Sequence, residues 1–372
     1  MLTVQLFFHG TCFILLSHFL FQEGYYMVET GKQYLVRLES FLKQEVQPIV
    51  NQLDTDAEAL FEVFDAFIHQ NFLSIYIPEK YGGLALSHEE MMACQEMVGR
   101  WAGSLGFLQV QAATTTWALL QSKDETFRTQ LFERIVNQEI VVGNATSHLK
   151  RDRKPSLVGE KVVGGYVLNG INPFASGWGA FDYMMLGFNT ADQEVFATIP
   201  FKQLPKGITV TPVYKTFVMN SLNTVGIKFD NYFLPQNDVV GAWEMFRFID
   251  RYRERRPYAF PLGIAVEAMS TVEQYVTPAM SDIYTHLMDA LNRCREKLYA
   301  ARCTNINALF AEMIAITLKA LQFSILVGPS KELMLSSHLQ RLYREILIWF
   351  MPRTTPEMLK QALSPTSTVL AE

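Results

Sequence analysis

Hydrophobic positions along the chain change period twice. Within residues 30–45, Tyr34, Leu35, Leu38, Phe41 and Leu42 recur at helical spacing, and within 56–71 Leu60, Phe61, Phe64, Phe67 and Ile68 do the same. Such spacing gathers apolar side chains on one helix face, so both stretches are predicted to be amphipathic helices. The run 76–84, punctuated by Pro and Gly, predicts a turn. Ser87-His88-Glu89-Glu90 then spells a capping box, in which the Ser87 hydroxyl and Glu90 carboxylate satisfy amides at a helix start. That helix is predicted to reach about Trp101, and more helix follows over 113–120 and 124–137, with aromatic and Met stripes read as core.

From residue 141 short β-type runs take over, at 166–168, 183–188, 195–199, 208–213 and 225–229. Gly, Asn, Asp and Pro separate them, a spacing that suits an antiparallel barrel or sandwich. Gly164-Gly165 and Asn169-Gly170 are turn dipeptides and suggest paired strands. Beyond Pro235 and Gly241 the helical period returns over 243–252, 256–276, 281–301, 306–327 and 335–350, which predicts a bundle. Asp282 and Asn305 are candidate caps, Pro352 ends the last long helix, and the tail after Pro356 reads as short and polar. The fold class expected is α+β multidomain: a helical N-terminal domain over 27–140, a middle β domain over 141–243 and a helical bundle over 244–372. Residues 1–26 are expected to lie outside the fold. The apolar run 4–21 has no basic residue before it and is broken by Gln5, His9, Gly10, Thr11, Ser17 and His18, so it fits neither a secretory signal nor a spanning helix well; an upstream extension from a misplaced start is the preferred reading, with a membrane anchor as the alternative.

Composition narrows the chemistry. A chain of 372 residues with 49% hydrophobic residues and 27 Phe can fill two or three cores. A net charge of −5 without long basic runs argues against nucleic acid as a partner. Cys12, Cys94, Cys294 and Cys303 form no metal-like pair, so no metal site is expected; buried thiols in a reducing, cytoplasmic setting are.

Two polar clusters remain, Asn144-Ala145-Thr146-Ser147-His148 and Phe174-Ala175-Ser176-Gly177-Trp178, separated by a loop carrying Lys150, Arg151, Arg153 and Lys154. Hydroxyls at strand ends can line the mouth of a pocket, or simply serve their own turns. With the surrounding GGYVLNGINPFASGWGAFD, these clusters resemble the middle domain of acyl-CoA dehydrogenases. In their GNA and PFASG details they resemble the related desulfurisation-type flavin-dependent monooxygenases. Further matches come in family order between residues 30 and 350: Ile77-Pro78-Glu79-Lys80-Tyr81-Gly82-Gly83, Val225-Gly226-Ile227-Lys228-Phe229-Asp230-Asn231 with Leu234-Pro235, Arg256-Pro257, and Gln340-Arg341-Leu342-Tyr343-Arg344-Glu345.

The resemblance implies a helical domain, a β domain and a C-terminal four-helix bundle. It also implies a flavin, FAD or alternatively FMN, contacted by Thr146, Ser147, Phe174 and Ser176. In such dehydrogenases an acyl thioester loses an α proton to a carboxylate while a β hydride moves to flavin N5. Implied partners are an acyl thioester of coenzyme A or a carrier protein, an electron acceptor or a flavin reductase, and further copies of the chain in a homo-oligomer. Departures from the family are equally specific. The Glu-Pro and Gly-Ser-Asp elements after the first motif are missing, as is the Arg-x-x-Phe-Gly motif that reaches a dinucleotide pyrophosphate, and the later Gly-Gly-x-Gly is reduced to Gly328. The usual catalytic Glu falls on Arg353, which cannot accept a proton. Glu254 lies one residue from an alternative family position for the base, between arginines that would depress its pKa; Glu357 lies just past Arg353, and Arg256 is the implied substrate contact. Three readings follow: a dehydrogenase of acyl thioesters, a monooxygenase using reduced flavin, and a non-catalytic relative that has lost its cofactor.

Overall fold

The computed structural model describes residues 29–84, 86–150, 155–244, 258–300, 305–350 and 356–363. Candidate residues Glu254, Arg256 and Arg353 lie outside these, as does most of the helix expected over 243–252.

Helix starts follow the local chemistry. After α1 (Gly31–Phe41), which continues into a π turn over Leu42–Val46, the second helix α2 (Ala57–His69) is capped by Asp56, whose Oδ1 accepts from the amides of Glu58 at 3.0 Å and Ala59 at 3.2 Å. The capping box forms as read: Ser87 opens α3 (His88–Trp101), its hydroxyl accepting from the Glu90 amide while the Glu90 carboxylate accepts from the Ser87 amide. Helices α4 (Gly103–Leu119) and α5 (Glu125–Val136) complete the helical region.

Among the described residues eight strands follow: β1 (Val142–Ala145), β2 (Leu157–Val162), β3 (Gly165–Ala175), β4 (Tyr183–Asn189), β5 (Glu194–Pro200), β6 (Ile208–Val210), β7 (Val225–Pro235) and β8 (Val239–Ala242). They form one sheet in the order β6-β7-β3-β2-β4-β5-β8, with β1 added beside β4. The sheet is mostly antiparallel, but β1 runs parallel to β4, a pairing the runs of apolar residues did not disclose. The hairpin expected at Gly164-Gly165 joins β2 to β3, with Val162 paired to Gly165. Asn169-Gly170 is not a turn. It sits inside β3 at a register shift, where a side chain at position 170 would come within 2.3 Å of the Ser156 carbonyl, so the glycine there relieves a close backbone approach in a bulge.

Helices then return as α6 (Phe260–Val272), α7 (Ser281–Tyr299), α8 (Ile306–Val327), α9 (His338–Phe350) and the short α10 (Pro356–Leu363). Asn305 caps α8, accepting from the Ala308 amide at 3.0 Å. Asp282 does not cap; it lies within the first turn of α7, where a negative charge faces the positive end of the helix dipole. The described part of the tail, Pro356–Leu363, expected to be polar, instead forms α10 and buries Met358 and Ala362. Among the described residues α8 is long and apolar enough to cross a membrane, yet 56% of its apolar window is buried within the structure.

The N-terminal and C-terminal helices meet where α3 crosses α6. A Cβ on Gly263 would lie 2.0 Å from the Glu96 carbonyl and one on Gly99 2.4 Å from the Phe260 carbonyl, so only paired glycines permit this backbone-to-backbone approach. Phe260 stacks on Trp349 of α9 at 4.3 Å just beyond the crossing. Buried charges also converge here. Glu345 is fully buried and accepts from Arg341 Nη1 at 2.7 Å and from the Gly103 amide at 3.2 Å. Burial raises its pKa, and the Arg341 guanidinium opposes that rise. Glu267 is likewise pushed up by burial, but hydrogen bonds from His338 and Arg100 outweigh this and lower it. Near these charges the loop before β7 contains two left-handed residues other than glycine, Met219 with φ 50 and ψ 47 and Asn223 with φ 45 and ψ 55. Such conformations cost on the order of 1 kcal/mol each and persist only where neighbours impose them.

Candidate functional site

The two polar clusters are joined at the end of the sheet. β1 is placed by its parallel register with β4, Asn144 facing Met185, and by Thr115 of α4, whose hydroxyl donates to the Gly143 carbonyl at 2.8 Å. The second cluster ends β3. Asn172, wholly buried, bridges the two: its Nδ2 donates to the Ala145 carbonyl at 2.5 Å and its Oδ1 accepts from the Phe174 amide at 3.3 Å.

The candidate residues are presented differently. Thr146 is 1% exposed, and its hydroxyl donates to the side chain of Asn144 at 3.0 Å, so this group is engaged below the surface. Ser147 is exposed at the start of a short 3-10 turn, Ser147–Lys150. His148 is largely buried, and burial pushes its imidazole down to about 4, with the nearby Gly187 backbone acting in the opposite direction. The ring is therefore neutral at neutral pH.

Phe174 is 46% exposed at the strand end, with Tyr214 edge-on to it at 5.8 Å. Beside it the hydroxyls of Ser176 and Thr224 lie 2.9 Å apart. Each hydroxyl has one hydrogen, so when one donates to the other the pair retains a second O–H. A half-open aromatic ring next to a hydroxyl pair suits a flat ligand with a polar edge. Among the described residues no carboxylate hydrogen-bonds to this pair, and no group of acidic, His or Cys side chains could hold a metal ion.

Thr224 and Asn172 were not singled out from the sequence. Asn172 stands two residues before Phe174 and its short amide is suited to a local turn contact; Thr224 carries no such local signal, since its partner is 48 residues away.

Helical domain, central mostly antiparallel sheet and C-terminal helices define the architecture of the acyl-CoA dehydrogenases, and the chain shows the family's likeness in both sequence and fold. Residues 29–139 match the family model described as acyl-CoA dehydrogenase, N-terminal domain. The mitochondrial isovaleryl-CoA dehydrogenase of Solanum tuberosum is 23% identical over 235 residues, covering 57% of this chain and 54% of the relative. The chain thus matches about half the length of that relative. An acyl-CoA dehydrogenase from Geobacillus kaustophilus shares the fold with a TM-score of 0.76 at 15% identity, over 91% of this chain and 97% of that one. Dibenzothiophene monooxygenase TdsC from Paenibacillus sp. A11-2 does so with a TM-score of 0.71 at 14% identity, over 89% and 96%. The family and these neighbours are flavin-dependent oxidoreductases.

Proposed function

We propose that this chain is a flavin oxidoreductase of the acyl-CoA dehydrogenase type acting on an acyl thioester. The observation that carries the reading is the pairing of the half-open Phe174 ring with the Ser176–Thr224 hydroxyl pair at the mouth of the sheet. These residues fit one edge of an isoalloxazine: the Phe174 ring supplies an apolar wall and the hydroxyl pair a donor. Thr146 fits less well, because its hydroxyl is turned toward Asn144 beneath the surface; Ser147 is the exposed hydroxyl of that turn. When bound, the flavin supplies a two-electron acceptor for the hydride from the substrate's β carbon. Phe174 and Tyr214 would exclude water from that edge, and the Ser176–Thr224 pair would orient it by a hydrogen bond. The proton acceptor is assigned to Glu254, with Arg256 as the substrate contact, on family position alone.

The GNA and PFASG details, and the fold shared with the dibenzothiophene monooxygenase, support a second reading, a monooxygenase that takes reduced flavin from a separate reductase and needs no such base. The visible spectrum of the purified chain with added FAD or FMN separates the two. Anaerobic bleaching by acyl thioesters supports the dehydrogenase. Binding of reduced flavin alone, with oxygen uptake, supports the monooxygenase. A protein that takes up neither oxidised nor reduced flavin defeats both. In the bleaching assay, Glu254→Gln with unchanged rate removes Glu254 as the base.

A further inference from the structure

The strained loop 219–223 is fastened from both sides, and its two fastenings lead to different parts of the chain. On one side lies the Leu53-Asp54 turn. Asp54 Oδ1 accepts from the Met219 amide at 2.7 Å, the Asp54 carbonyl accepts from the Ser221 amide at 3.1 Å, and the Leu53 carbonyl accepts from the Ser221 hydroxyl at 2.6 Å. The remaining carboxylate oxygen of Asp54 pairs with Arg344 Nη2 of α9, with both side chains no more than 4% exposed. Arg344 is itself fixed by its Nη1 donating to the Leu335 carbonyl at 3.0 Å. On the other side lies the candidate site. The Leu222 carbonyl accepts from the Gly177 amide at 2.6 Å, Asn223 Nδ2 reaches the Trp178 carbonyl at 3.5 Å, and Thr224 meets Ser176.

We propose that Asp54, held by Arg344, is a positioning residue: it imposes the left-handed course of the loop and thereby sets Thr224 under Ser176, which orients the hydroxyl pair. The role assigned to that pair rests on the flavin reading above; the mechanical link from α9 to the loop does not. A carboxylate is required because two donors, the Arg344 guanidinium and the Met219 amide, face its two oxygens. An asparagine offers one acceptor oxygen and would turn an N–H₂ toward one of those donors.

The test uses the full chain and compares Asp54→Asn with the double variant Asp54→Asn/Asn223→Gly. Glycine holds a left-handed conformation without strain, so it restores the loop if imposing that conformation is what Asp54 does. Amide hydrogen exchange at Met219, Ser221 and Gly177 is expected to quicken on the order of tenfold or more in Asp54→Asn, while amides of α8 stay within about twofold, and the glycine is expected to recover most of the protection. FAD added to the same proteins reads the consequence: its dissociation constant is expected to rise about tenfold in the single variant and to return toward wild type in the double one. Unchanged exchange at the three amides, an increase spread evenly into α8, or no rescue by glycine overturns the proposal. Should Asp54→Asn not fold, Arg344→Lys, which keeps the charge but loses the second donor, is expected to give a smaller acceleration at the same amides, and none there overturns it. If the wild-type chain binds neither FAD nor FMN, oxidised or reduced, the flavin reading falls and the exchange pattern with its glycine rescue alone decides the positioning role.

Discussion

The turns Asn144–His148 and Phe174–Ser176 carry similar residue types and meet through one asparagine, yet they are built for opposite tasks. The first turns Thr146 inward onto Asn144 and His148 inward as a buried neutral ring, and exposes Ser147. The second keeps Phe174 half in solvent beside the Ser176–Thr224 hydroxyl pair. A hydroxyl in a motif is therefore not by itself a ligand contact; what it already bonds to decides the matter. The first turn acts as a buttress and the second as the face that it supports.

The contrast can be broken most forcefully at the joint. Asn172→Ala removes the partner of both the Ala145 carbonyl and the Phe174 amide within a fully buried setting, and is expected to cost on the order of 4 kcal/mol in chemical denaturation, with loss of ligand binding. Next in size is the pH response of the buttress. His148 has a folded value near 4 against an ordinary 6.5, so the unfolded chain binds the extra proton first as pH falls. Stability is expected to drop between about pH 6.5 and 4, by up to about 3 kcal/mol, and to lose this component of the slope in His148→Gln. On the open side, Ser176→Ala is expected to weaken FAD binding roughly tenfold while lowering stability by no more than about 1 kcal/mol, because it removes one part-buried hydroxyl–hydroxyl bond. Smallest is Thr146→Val. It is expected to lower stability by about 1 kcal/mol and to leave FAD affinity within about twofold. An affinity loss in Thr146→Val as large as that in Ser176→Ala would erase the distinction between the turns.

Much of the architecture could be read along the chain because it is local. Helical periods in Leu60, Phe64 and Phe67, the capping box at Ser87 and the hairpin near Gly164 are each decided within a few residues. Asn169-Gly170 misled because a glycine that relieves a close backbone approach has the same letters as one that makes a turn. Asp282 misled because the sequence does not say which residue begins the helix, and Met280 rather than Asp282 precedes α7. For the candidate site, Phe174 and Ser176 were legible from a motif, whereas Asp54 was not. Its partner Arg344 is 290 residues away, and no spacing rule links two residues that meet only when three parts of the chain have folded together.

Cys94 illustrates what the helical core withholds from solvent. Its thiol is wholly buried beside the Tyr34 hydroxyl, and burial pushes it up to about 11. Since only the thiolate attacks, an alkylating reagent at neutral pH should pass this sulfur by until α1, α3 and α4 part. The rate at which Cys94 becomes labelled is then a clock for opening of that core, readable by mass without any added probe on the protein.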